Sequence, residues 1–294
     1  MAVGERDPFT GHMTTGHEWN GIKELNSPVP RIIWAFLICT VIFAAVWTIL
    51  MPSWPGVHTY FRGLLGMDQR TAVAQTIAAA NLDREVWTKR ITDESIASIQ
   101  ADPALMQVVR ETGHAIFGDN CAACHGANAT GGPGFPNIAQ APTLWGDDPD
   151  TIAETIRVGI NSSHPDTRVS QMLAFGRDQM LPRADIDKVV DYVRTLSDPG
   201  VAETLDATAL ADGKQIFADN CASCHGDDGT GMAEVGSADL ADKYWIYGGD
   251  RQTILTTVYY GRQGQMPTWE GRLSPLDIKL LTLYILDLRA GDAS

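Results

Sequence analysis

The strongest constraint on this chain is a segment that occurs twice, 100 residues apart: Asn120-Cys121-Ala122-Ala123-Cys124-His125-Gly126 and Asn220-Cys221-Ala222-Ser223-Cys224-His225-Gly226. Two cysteines three residues apart share one helical turn, so both thiols can add to the vinyl groups of one porphyrin while the next residue, His, reaches its iron. Redox dithiols and zinc sites also use Cys-x-x-Cys, but neither needs a His directly after the second Cys. The two copies therefore predict two covalently bound haem c groups. Cys121, Cys124, Cys221 and Cys224 would make the thioether bonds, and His125 and His225 would be axial ligands of the irons.

The repeat extends well beyond the motif. At the same offset the chain pairs Gly113 with Gly213, Phe117 with Phe217, Thr130 with Thr230 and Trp145 with Trp245, which marks an internal duplication. Each copy also closes on an amphipathic stretch, around Ile186, Val189, Val190 and Val193 in the first and Ile278, Leu281 and Ile285 in the second. The first helix of each copy carries Gly four residues before Phe, which lets another helix cross closely, with Tyr192 or Tyr284 from a terminal helix as a suitable partner. This pattern resembles class I cytochrome c domains over about 113–198 and 210–290. The expected fold is all-α, with two such domains in tandem.

An electron carrier needs a second axial ligand, and a Met thioether favours ferrous iron and raises the potential. Of nine methionines, Met172 and Met266 share a local pattern: each follows Gln and precedes Leu or Pro, a small residue and an aromatic. They are the expected sixth ligands, with Met180 the runner-up in the first copy. Ligation within each domain is the default, and exchange of the Met loops between neighbours stays open. His114 and His164 are read as a satisfied or surface His and a loop residue. Trp145, Trp245, Arg157 and Arg168 are candidate partners for haem propionates, because buried carboxylates need donors.

Residues 32–51 carry no formal charge and are long enough to cross roughly 30 Å of hydrocarbon as one helix. They form an uncleaved anchor, since the apolar run exceeds that of a signal peptide and no small-residue cleavage site follows before Pro52-Ser53-Trp54-Pro55. Residues 1–31 are polar and irregular, with too little apolar content to bury a core alone. Residues 52–109 form a connector that spaces the haems from the membrane, domain 1 spans 110–198, a linker covers 199–209, and domain 2 spans 210–294. Covalent haem places the C-terminal part outside a bacterial inner membrane, so the N-terminus faces the cytoplasm and the haem domains the periplasm. With 36 acidic against 22 basic residues and a net charge of −14, a nucleic-acid partner is excluded.

Three further segments carry a wider resemblance. They are His17-Glu18-Trp19-Asn20-Gly21-Ile22-Lys23-Glu24-Leu25-Asn26 before the span, Trp54-Pro55 with Gly63-Leu64-Leu65-Gly66 after it, and Asn161 with His164-Pro165-Asp166-Thr167-Arg168 leading to Gln171-Met172. Together with the two haem motifs they resemble the dihaem subunit family of cbb3-type cytochrome c oxidases, CcoP or FixP, over nearly the full length. Leu173 departs from the Pro usual after the first Met. The resemblance implies a relay taking electrons from a donor cytochrome c through two haems to a monohaem subunit and a catalytic haem-copper subunit, and no oxygen chemistry in this chain. The rivals are a dihaem subunit of a periplasmic dehydrogenase and a dihaem peroxidase, the latter opposed by two matching Met loops, since a peroxidase needs an open iron.

Overall fold

The computed structural model describes residues 5–291, which divide into two compact units meeting between Asp83 and Arg84. The first contains a hairpin, β1 (Thr14–Trp19) and β2 (Ile22–Leu25), antiparallel with Trp19 opposite Ile22. Its turn residues Asn20 and Gly21 have φ of 49° and 85°, the left-handed pair that a type I′ turn requires and that Asn-Gly supplies most readily. This hairpin replaces the irregular segment expected over residues 1–31, and Asn20-Gly21 is its sequence signal. Trp19 and Ile22 are exposed, and a two-stranded sheet with no covered face is marginal in water.

Helix α1 (Arg31–Leu50) is apolar on every side and has no buried residue, the pattern of a helix whose surroundings are lipid or protein rather than water. Thr40 returns its hydroxyl to the carbonyls of Phe36 and Leu37 at 3.0 and 2.9 Å, so it presents no unpaired donor to the hydrocarbon. At the exit, the amides of Leu64 and Leu65 bond the carbonyls of Ile49 and Leu50, satisfying acceptors that a helix end leaves open. The connector then runs into α2 (Gln69–Asp93), a 25-residue helix, about 37 Å long at 1.5 Å per residue. The run of alanines at Ala78-Ala79-Ala80 supplies the propensity for a continuous helix here.

The second unit continues with α3 (Ile96–Gln100), α4 (Pro103–Asn120), α5 (Ala122–His125) and α6 (Pro149–Val158). The duplicated half follows α7 (Arg183–Ser197) and a 3₁₀ turn at Pro199–Thr204, and comprises α8 (Ala207–Asn220), α9 (Ala222–His225), α10 (Arg251–Tyr260) and α11 (Pro275–Gly291). Helix starts follow the caps: Asp102, Asp148, Asp206 and Asp250 each accept a backbone N–H of the first turn.

Two cores result, and each draws on both copies. In one, Val109 and Phe117 of α4 and Ile152 and Ile156 of α6 pack with Leu280, Leu281, Leu283 and Tyr284 of α11. In the other, Phe217 of α8 and Ile254, Leu255 and Val258 of α10 pack with Ile186, Val189, Val190 and Tyr192 of α7. The terminal helices are therefore exchanged: Phe117 stacks on Tyr284 with centroids 5.8 Å apart, and Phe217 on Tyr192 at 5.4 Å. The short connection between α7 and α8 explains this, since neighbours joined by a short turn pack antiparallel against each other. Along the chain the domains are tandem, but in space the unit holding Cys221–His225 is contiguous, while the unit holding Cys121–His125 is interrupted by it.

The crossings leave no room for a side chain at the duplicated glycines. A β-carbon at Gly113 would lie 2.7 Å from Tyr284 Cβ, and one at Gly213 would collide with the Lys188 carbonyl. Gly213→Ala is expected to destabilise the unit by roughly 1–3 kcal/mol through forced backbone movement, read as a lower thermal midpoint; an unchanged midpoint would refute the packing.

Candidate haem sites

Each Cys-x-x-Cys-His segment forms a single helical turn at the end of a long helix. Cys121 and Cys221 continue α4 and α8 by bonding the carbonyls of Phe117 and Phe217, both at 2.8 Å, and Asn120 and Asn220 return their amides to Ile116 and Ile216. These aromatic-anchored helices fix the turn, so the cysteines and the His have defined positions.

The two imidazoles are poised alike. His125 Nδ1 bonds the Pro136 carbonyl at 3.2 Å and His225 Nδ1 the Ala238 carbonyl at 2.9 Å. A carbonyl only accepts, so Nδ1 carries the proton in both and Nε2 offers a lone pair, the tautomer a metal ligand needs. Burial pushes both imidazoles below their ordinary pKa, opposed by those carbonyl bonds, which keeps them neutral. Burial, and secondarily the neighbouring Cys124 or Cys224, pushes the thiols of Cys121 and Cys221 up to about 11. Redox Cys-x-x-Cys motifs do the opposite, depressing a thiol to make a thiolate.

The Met-bearing segments cross over. After α6, Gly159 ends the helix and Ile160 exchanges two backbone hydrogen bonds with Met266, both 2.9 Å. After α10, Gly261 ends the helix and Arg262 exchanges two with Met172, at 2.8 and 3.1 Å. Met266 thereby joins the core of Phe117 and Cys121, and Met172 that of Phe217 and Cys221. A cavity of about 500 Å³ is lined by His125, Ile156 and Met266 and also by Met232, Tyr244 and Trp245 of the second copy. Of the two arrangements the spacing left open, the fold places Met266 on the cavity of His125 and packs Met172 into the core that holds Cys221. Met180 is half exposed and lies outside both cores.

The remaining candidates separate cleanly. Among the described residues, Trp145 Nε1 and Arg168 Nε are the buried side-chain nitrogens without a partner, and Arg168 lies over the Trp145 ring, 5.0 Å from its centroid. Buried donors left unpaired are costly, and a carboxylate beside them would satisfy both. Arg157 is instead committed to Glu154 and Glu270 at 2.7 and 2.8 Å, and Trp245 lines the cavity. His114 bonds the Tyr284 hydroxyl at 3.1 Å. His164, almost fully buried, accepts the Asp166 amide at Nδ1 and so donates from Nε2 to Glu270, 2.5 Å away. Glu270 is held below the usual carboxylate range, first by His164 and then by Arg157. Nothing in the sequence marked Glu270, because its partners lie more than a hundred residues away.

Imidazoles with a free Nε2, paired thiols at vinyl-reaching spacing, an apolar cavity and two orphan donors fit a c-type haem. Comparisons with known proteins agree. Residues 11–58 match the model for the N-terminal domain of cytochrome oxidase-cbb3, FixP, residues 110–197 match cytochrome c, and residues 208–285 match cytochrome c oxidase, cbb3-type, subunit III. The chain is 43% identical over 287 residues to the cbb3-type cytochrome c oxidase subunit FixP of Bradyrhizobium sp. strain ORS 278, covering 98% of both. It is 40% identical over 281 residues to subunit CcoP of Cereibacter sphaeroides, covering 95% of both. The CcoP of Rhodobacter capsulatus is 41% identical over 290 residues, covering 95% of this chain and 96% of that one.

Proposed function

From the premise that the chain belongs to the FixP/CcoP family of cbb3-type cytochrome c oxidase subunits, we propose that it is the membrane-anchored dihaem relay of such an oxidase. It takes electrons from a donor cytochrome c and hands them toward a monohaem subunit and the catalytic haem-copper subunit, where oxygen is reduced. This chain performs no oxygen chemistry itself. Haem c, when bound, supplies one-electron iron redox chemistry.

The protein's residues then do four things. Cys121 with Cys124, and Cys221 with Cys224, hold one haem each. His125 and Met266 would hold the first iron, and His225 and Met172 the second. A neutral His paired with a thioether would favour ferrous iron and leave no open site for exogenous ligands. Trp145 and Arg168 donate to propionate oxygens, which relieves their missing partners. The observation that carries the relay reading is the cavity lined by His125 and Met266 together with Met232, Tyr244 and Trp245 of the second copy, which supports a first cofactor in contact with residues of the second domain.

Helix α1 anchors the chain, with residues 1–31 in the cytoplasm and the haem units on the periplasmic side. The exposed Trp19 and Ile22 of the hairpin suit burial against another subunit. Affinity purification of the full chain in mild detergent is expected to bring down b-type haem and copper; a co-purified flavoprotein or quinoprotein would overturn the assignment. Deleting residues 1–31 is expected to abolish that co-purification while leaving c-type haem content unchanged, and intact assembly would refute the role given to the hairpin.

A further inference from the structure

One residue lies where the two Met-bearing arms cross. Asn161 follows Ile160 directly and has φ of 48°, a left-handed conformation that Asn tolerates better than most residues. Its side-chain amide donates to the Ser170 carbonyl at 2.8 Å and to the Gly264 carbonyl at 2.7 Å, and its Oδ1 accepts the Ser170 amide at 3.2 Å. Ser170 is two residues before Met172, and Gly264 is two residues before Met266. Both N–H bonds of one amide are thus spent on matching points of the two arms, one arm from each half of the duplication. The residue at the matching place in the second copy is Gln263, one after Arg262, so the duplication carries this Asn once.

We propose that Asn161 is a positioning residue for both Met172 and Met266, a single latch that fixes the two arms against each other. The proposal rests on the ligand assignment given above. The physical basis is that a planar amide with both donors engaged holds two carbonyls at a fixed separation. The backbone bonds of Ile160 with Met266 and of Arg262 with Met172 join the arms at the two Met positions, and the Asn161 side chain adds the tie between the residues that lead into them. Without the latch the arms are held only by those backbone pairings, and each Met then competes less well with an added ligand for its iron.

The test uses the full-length dihaem protein, with imidazole as the probe of Met displacement from ferric iron. Asn161→Gly keeps the left-handed backbone accessible and removes the amide; Asn161→Asp keeps the shape and removes both donors. Each variant is expected to bind imidazole about tenfold more tightly at both haems, the scale set by losing one hydrogen bond per arm, and to lower both reduction potentials. Met172→Ala and Met266→Ala serve as references, each removing the Met-to-ferric-iron charge-transfer band of one haem. If those references leave the bands intact, the ligand assignment fails and the latch with it. If they remove the bands while either Asn161 variant keeps wild-type imidazole affinity at one or both haems, the latch alone is overturned.

Discussion

A fragment comprising residues 169–262 is expected to fold alone and carry one haem with His and Met ligation, whereas residues 110–198, the first copy as the sequence presents it, are expected not to. The core of Phe175, Ile186, Val190, Phe217, Leu255 and Val258 lies wholly within the first fragment, as do Met172, Cys221, Cys224, His225 and the Met172–Arg262 pairing. At just under a hundred residues such a core is sufficient for an independent domain. The second fragment contains α4 without α11 and α7 without α8. Phe117 then lacks Tyr284, and the apolar face of α7 has nothing to cover it. Export to the periplasm with haem maturation, followed by optical spectra and thermal melts, distinguishes the outcomes. A folded, Met-ligated 110–198 together with an unfolded 169–262 would contradict the exchanged packing.

The second large effect is expected at the glycines that end α6 and α10. Gly159 has φ of 71° and a β-carbon there would collide with the Met266 carbonyl; Gly261 has φ of 72° and a β-carbon there would lie 2.5 Å from the Met172 carbonyl. An Ala at either position meets a left-handed backbone, worth about 1–3 kcal/mol of strain, and pushes directly on the ligand-bearing arm. Gly159→Ala should therefore weaken Met ligation at the haem of Cys121 and Cys124, and Gly261→Ala at that of Cys221 and Cys224. The two substitutions should lower different potentials, because losing the thioether removes the stabilisation of ferrous iron. Redox titration checks this, and equal shifts at both haems in either variant would refute it.

Much of this was legible in the residues. The haem motifs, the apolar span and the duplicated Gly and Phe are local patterns, and local spacing fixes what they can do. Met172 and Met266 stood out through a shared neighbourhood. The pairing with the irons proposed above was not legible, because spacing from His to Met is compatible with either arrangement, and the exchange of helices depends on α7 packing against α8 rather than α4. The hairpin was missed although Asn20-Gly21 announces it. Glu270 and the crossing role of Asn161 could not be read at all, since both rest on contacts between segments about a hundred residues apart.

The central claim is the crosswise arrangement of a two-haem relay, and it is tested most directly in a protein limited to one haem. In the full-length chain carrying Cys221→Ala and Cys224→Ala, the remaining haem sits at Cys121 and Cys124. The account predicts that adding Met266→Ala abolishes its Met-to-ferric-iron charge-transfer band while adding Met172→Ala leaves the band in place. Loss of the band with Met172→Ala and its persistence with Met266→Ala would contradict the account.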